Sequence, residues 1–357
     1  MKILDIYILK KLLKAFFFVV LLLVLVVVVI NITERNEKFI EHSLGFKEVA
    51  LYYLNYMPYV ANMITPITVF IATVFITAQL AGHTEIIAIL SSGVSFRRLM
   101  VPYIIGSCII AAISFALSGW VIPNSNKHRI AFEVQYFRNP FYYSQSDIHI
   151  KVGQNSYLYM ANYNNTSNTG IKFTLETIEH TDILQKLSAQ RIEWQEDIQK
   201  WRLRRWNLHE FDGFTERFSS GDEMDTALLI LPKDFESNYM LFEALTLNEL
   251  DQKIEELKLR AADDIDMFRI EKYIRYMSPF TVIILTFIGL IVSARKARGG
   301  AGFQIALGFF IAFIYIVFYI FARRIAEAGS MNQIIAVWIP NIVFSIVGFV
   351  MYKTVPR

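Results

Sequence analysis

Residues Leu12–Ile30 read LLKAFFFVVLLLVLVVVVI, and this run decides the class of the protein. A bilayer core about 30 Å thick is crossed by roughly 20 helical residues, and the run supplies them with only Lys14 interrupting near one end. It is longer than the apolar core of a secretory signal, and no small-residue cleavage site follows it, so it reads as a retained helix. Moving outward, comparable stretches recur at Pro58–Leu80, diluted by Asn62, threonines and Pro66, and at Leu99–Ile122. After a long polar interval the oil returns at Pro279–Val292, Phe303–Ala322 and Ile334–Met351. The expected architecture is mixed: membrane α plus soluble β, with six transmembrane helices in a three-plus-three arrangement around an inserted domain. The expected divisions are residues 1–125 for helices one to three, 126–265 for the insert and 266–357 for helices four to six.

Composition agrees with this division. Hydrophobic residues make up 54% of the 357 and charged residues only 19%, too oily for a soluble enzyme of this length. Residues 126–276 hold 19 Lys/Arg against 25 Asp/Glu, so the net positive charge lies in the remainder. Short connections set orientation. Lys2, Lys10, Lys11, Lys14, Arg97, Arg98, Arg295, Lys296, Arg298, Lys353 and Arg357 fall on one side, while Arg35, Lys38, Lys47, Arg323 and Arg324 fall on the other. By the positive-inside rule both termini are expected in the cytoplasm and residues 126–265 outside it, which in a Gram-negative cell is the periplasm. The single cysteine, Cys108, lies within an apolar run and can form no intramolecular disulfide.

Inside the insert, Ile148–Val152, Tyr157–Met160 and Trp201–Trp206 alternate with period two and predict half-buried strands, with turns at Asn164-Asn165 and Gly213. Short strands at this spacing favour a β-sandwich or jellyroll. Beyond Pro232, Leu247, Leu250, Ile254, Leu257 and Ala261 recur at helical spacing and predict an amphipathic helix over 247–265.

Little of this sequence points to chemistry. No G-x-x-x-x-G-K-[ST] loop occurs, so the chain cannot cradle ATP phosphates in the P-loop manner, and the energy for any transport must come from elsewhere. The six histidines lack metal-ligand spacing, and Glu255, Glu256, Asp263, Asp264 and Asp266 have the composition of a solvated helix face. Arg298-Gly299-Gly300-Ala301-Gly302 sits between two spans and reads as a turn, not a phosphate cradle. No metal, cofactor or nucleic acid is expected. More informative is Gly82–Gly93, GHTEIIAILSSG, which links the second and third spans. It predicts a short helix over 84–93, capped by Thr84 and closed by Gly93, whose Ile86, Ile87, Ile89 and Leu90 either dip into the membrane surface or fill a groove on a partner.

Taken in order, Leu4-Asp5-x-Tyr7, Glu85–Gly93 followed by Ser95, Trp201-x-Leu203, Leu247–Leu257, Arg275–Phe280 and Trp338-x-Pro340 resemble the lipopolysaccharide-export permeases LptF and LptG along essentially the whole chain. The first of these pieces leans to LptG. The resemblance implies a periplasmic β-jellyroll between the third and fourth spans. It also implies a heterodimer with a homologous permease subunit seated on a cytoplasmic ABC ATPase dimer, and handover of lipopolysaccharide to a periplasmic bridge protein through an open sheet edge. Glu85 matches the family's ATPase-coupling glutamate, with Ile86, Ile89, Leu90 and Gly93 in the same helix. First, second and fifth spans would line the lipid cavity. Lipid A phosphates ask for basic groups at the outer interface, and Arg35, Lys38, Arg323 and Arg324 are the candidates. The alternative is an ATPase-coupled membrane scaffold that regulates a periplasmic partner without moving lipid.

Overall fold

The computed structural model describes residues 3–137, 146–153, 155–179, 182–213, 215–228, 230–235, 240–259, 265–294 and 300–353. In chain order these form α1 (Ile3–Glu41), α2 (Phe46–Gly82), α3 (Glu85–Ser91), α4 (Phe96–Ala116), a π-helical turn (Leu117–Val121) and α5 (Ile122–Tyr136). Strands β1 (Ser146–Lys151), β2 (Ser156–Asn164), β3 (Thr169–Glu179), β4 (Asp182–Gln195), β5 (Lys200–Asp212) and β6 (Thr215–Thr226) follow. Helices α6 (Leu241–Ala244), α7 (Leu247–Leu259), α8 (Ile265–Ser293), α9 (Gly300–Glu327) and α10 (Gln333–Lys353) complete the chain. They divide into two compact units: Met1–Tyr136, Phe242–Leu250 and Asp266–Arg357 in one, Phe137–Leu241 and Asp251–Ile265 in the other.

The first unit contains six helical stretches long and apolar enough to cross a membrane, in the expected three-plus-three order. They overrun the spans drawn from hydropathy. At about 1.5 Å per residue, the 39 residues of α1 reach roughly 58 Å, nearly twice a bilayer core. The third stretch runs from Phe96 to Tyr136 through the π-helical turn. The boundary drawn at residue 126 therefore falls inside α5, and the second unit begins at Phe137. Hydropathy misses this because α5 is a polar extension of an apolar helix, with Asn126, Arg129 and Glu133 turned into the protein.

What fixes the helices against one another is polar as well as apolar. Thr65 and Thr73 return their hydroxyls to the carbonyls of Ala61 and Val69 on their own helix. Between helices, Thr77 donates to the Tyr103 hydroxyl and Ser114 to Asn62 Oδ1. Asn341 accepts from Thr281 and Tyr315 and donates to the Met277 carbonyl. Phe70 fills the gap left by two glycines: a Cβ at Gly289 or at Gly308 would stand 3.2 Å from its ring.

In the second unit the strands form one antiparallel sheet in the order β1-β2-β3-β4-β5-β6, an up-and-down meander. Alternation places Trp201 and Leu203 of β5 in the core with Leu158, Met160, Phe173 and Ile192, while Arg202 and Arg204 project from the other face. There Arg202 bonds both oxygens of Asp225 on β6, and Arg204 meets Glu223 on β6 and Glu193 on β4. Gly170 is required by a close approach, since a Cβ would lie 2.5 Å from Met160 Sδ and 2.9 Å from Ile192 Cγ1. The expected turns are present, with Gly213 at φ +62°. The amphipathic helix forms as α7 over 247–259, with Leu247 and Leu250 counted in the first unit and Ile254 and Leu257 in the second, all four buried. Residues 260–264, including Ala261, Asp263 and Asp264, lie outside the described residues, as do Arg295–Gly299 and Arg357.

Candidate functional site

Helix α3 has seven residues, too few to persist in water alone, and is held by packing. Ile86 is 2% exposed and belongs to a core with Ile8, Leu12, Leu99 and Tyr103, against which Ile89 is half-buried. Ile87 and Leu90, three residues apart, form the outward face at 49% and 38% exposure. The four apolar residues read together in the sequence are thus split two and two. Gly93 closes the corner at φ +87°, and its N–H donates to the Leu90 carbonyl. Thr84 does not cap the helix. It stands at φ +64°, in the left-handed region, and its hydroxyl donates to the His83 carbonyl at 2.6 Å. The tight turn out of α2 imposes this backbone and points the hydroxyl away from the α3 amides.

Glu85 opens α3 with its side chain one-third exposed. The Tyr7 hydroxyl donates to its Oε2 at 3.2 Å, Lys11 Nζ stands 3.8 Å from Oε1 and His83 Nδ1 at 3.9 Å. The carboxylate therefore joins α3 to the first turns of α1 while keeping an open side.

The four basic candidates divide into two pairs. Arg35 and Lys38 are half-buried on the last turns of α1. Arg323 and Arg324 end α9, and both engage Glu327 at 2.9 Å. Arg323 is one-third exposed, whereas Arg324 keeps 78% of its side chain open.

Further along the same unit the structure gathers charges that sequence reasoning left apart. Arg129 on α5 is 3% exposed, and its guanidinium meets Glu243 at 2.9 Å, Glu133 at 3.3 Å and Asn126 at 3.0 Å, lying 4.3 Å over the Tyr59 ring. Arg275 on α8 is 4% exposed and donates to the carbonyls of Leu245 and Phe242 at 2.6 and 2.9 Å, with Glu271 at 2.9 Å. Arg275 thereby satisfies carbonyls that the short α6 cannot pair itself. Burial pushes the Glu243 carboxyl above its ordinary range, nearby Glu271 adds to this, and Arg129 opposes both.

A family model described as "Lipopolysaccharide export system permease LptF/LptG" matches residues 6–354. The chain belongs to this family. It is a permease component of lipopolysaccharide export, and the match spans both helical groups and the β unit between them. No curated protein gave a match. The match treats LptF and LptG as one family.

The family resemblance singles out Glu85 and Tyr7 in separate motifs but does not join them, nor Lys11 to either; both partners lie more than seventy residues from Glu85, on α1. In the sequence Arg129, Glu243 and Glu271 are isolated charges, although ionisable groups within or beside apolar helices are themselves a signal of buried pairing. Among the described residues no cluster of His, Cys, Asp and Glu has metal-binding geometry. Glu255 and Glu256 pair instead with Lys258 and Lys253 along α7.

Proposed function

We propose that this chain is the LptG-type half of a permease heterodimer in the inner membrane of a Gram-negative bacterium, seated on a cytoplasmic ABC ATPase dimer. It extracts lipopolysaccharide and passes it to a periplasmic bridge protein. Both termini and α3 are cytoplasmic in this reading, and the β unit is periplasmic, presenting β1 or β6 as an open edge whose unpaired N–H and C=O groups accept a strand of the bridge.

The observation that carries the proposal is α3. A permease with no phosphate-binding loop receives its energy through a contact, and α3 offers Ile87 and Leu90 as an apolar face beside the open side of Glu85. Ile86 and Ile89 anchor that face to the helical core, so that force on α3 is force on α1 and α4. At the outer interface Arg324 is the most accessible of the four basic candidates for an anionic head group, with Arg323, Arg35 and Lys38 in supporting positions.

Glu85→Lys tests this. The variant should insert and pair with its homologous subunit normally, yet co-purify with less ATPase and release no lipopolysaccharide on ATP addition. Removing one partner of a rim ion pair costs about 1 kcal/mol, rising to roughly 2–5 kcal/mol if the contact is dry. Normal export with the ATPase bound would reduce α3 to a connector.

A further inference from the structure

Asp5 lies in the first turn of α1 with its side chain 5% exposed, and Arg98 Nη2 stands 2.5 Å from its Oδ2. Arg98 is fixed in turn, because it belongs to the first turn of α4 and its backbone N–H donates to Ser95 Oγ. One turn further along α1, Ile8 and Leu12 are buried among Ile86, Leu99 and Tyr103. Gly106 of α4 lets Leu9 and Leu12 approach closely: a Cβ there would stand 2.8 Å from Leu12 Cδ2 and 3.1 Å from Leu9 Cδ1. On the neighbouring face Tyr7 and Lys11 reach Glu85. Residues 5–12 of α1 are thus clamped to both α3 and α4.

Two physical points give this clamp a purpose. A buried carboxylate paired with arginine is a weak way to add stability, since apolar residues of similar shape serve as well; its attested use is to fix one register. The second point is stiffness. Helices bend at Pro and Gly, and among the six long helical stretches only α1 has neither residue, across all 39 of its positions.

We propose that Asp5 is a positioning residue for energy transfer: through Arg98 it locks the first turns of α1 to the α3–α4 corner, so that displacement of α3 is carried along α1 as along a rod. The proposal rests on the reading of α3 as the ATPase contact. It places the lever at the end of α1 opposite to its lipid-phosphate candidates, Arg35 and Lys38.

The test uses the whole complex, with the homologous subunit and ATPase, reconstituted in membranes containing lipopolysaccharide, and reads lipid released per ATP hydrolysed. Asp5→Asn preserves shape and removes the charge; Arg98→Gln removes the other half. Each should leave assembly and ATP hydrolysis near the unsubstituted level and lower lipid released per ATP about tenfold, within the range of coupling between linked sites. The exchange Asp5→Arg with Arg98→Asp should recover part of the ratio. An unchanged ratio in both single variants overturns the proposal. So does a parallel fall of hydrolysis and release that tracks the amount of complex assembled and is not recovered by the exchange, because that is the mark of a purely structural pair. If Glu85→Lys leaves release intact, the underlying reading of α3 fails and the proposal falls with it.

Discussion

Helices α1 and α2 are neighbours in sequence and opposites in design. α1 has the most apolar stretch of the six, yet only 17% of it is buried; α2 is less apolar, carries Asn62, Thr65, Thr68, Thr73, Thr77 and two prolines, and is 61% buried. In water the oilier helix would sit inside. In a bilayer lipid tails are as apolar as leucine, so helices associate through close packing and hydrogen bonds, and the mixed-polarity helix becomes the protein-facing one. The oil of α1 then marks a surface that meets lipid or another subunit. α9 follows α1 in this respect, with Phe310, Phe313 and Phe321 all more than half exposed.

Truncation should cost very differently on the two helices. Phe70, fully buried between Gly289 and Gly308, should lose about 3–5 kcal/mol on Phe70→Ala, the cost of an unfilled aromatic cavity. Leu25, half exposed on α1, should lose about 0.5 kcal/mol or less on Leu25→Ala. Thermal unfolding of both variants in one mild detergent measures the contrast.

A smaller effect separates the two arginines that end α9. Arg324→Gln should lower co-purified lipopolysaccharide roughly two- to fivefold, as expected for an exposed charge worth up to about 1 kcal/mol, and leave the unfolding midpoint unchanged. Arg323→Gln should lower the midpoint as well, because its side chain is two-thirds covered and braced on Glu327. Equal lipid loss with equal midpoints would mean that neither is distinguished by its packing.

The smallest effect lies outside the spans, at the start of α7. Lys127 holds the Glu249 carboxylate at about 2, aided by bonds from the Thr246 backbone N–H and hydroxyl. Its folded value is depressed, so the stabilisation it gives is fully present above the ordinary value of 4.5 and fades as pH falls from there towards 2. Protection of the Leu250 amide, which bonds the Thr246 carbonyl, should therefore be flat from pH 8 to pH 5, after correction for intrinsic exchange. Glu249→Gln should weaken it throughout that range.

Much of the fold was legible because each signal is local. Period-two alternation around Trp201 and Leu203 and helical spacing from Leu247 to Leu257 report burial directly. Helix ends are less legible: α1 and α5 continue past the apolar runs on polar residues, and hydropathy stops where the oil stops. In the candidate site, the extent of α3 and the glycine that closes it could be read from sequence. The role of Thr84 could not, since its left-handed backbone follows from the corner with α2. Nor could Asp5, Tyr7 and Lys11 be joined to Arg98 and Glu85, because long-range pairing of isolated charges leaves no periodicity to detect.

The proposed function makes the exposed oil of α1 and α9 a working surface of the permease, as it makes α3 the ATPase contact. Photo-crosslinking residues placed at Leu25, Phe321 and the fully buried Val69, in native membranes holding the assembled complex, test it most directly. Adducts with lipopolysaccharide and with the homologous subunit are expected at Leu25 and Phe321 and none at Val69. Bulk phospholipid alone at the first two positions, or equal lipopolysaccharide capture at Val69, would contradict it.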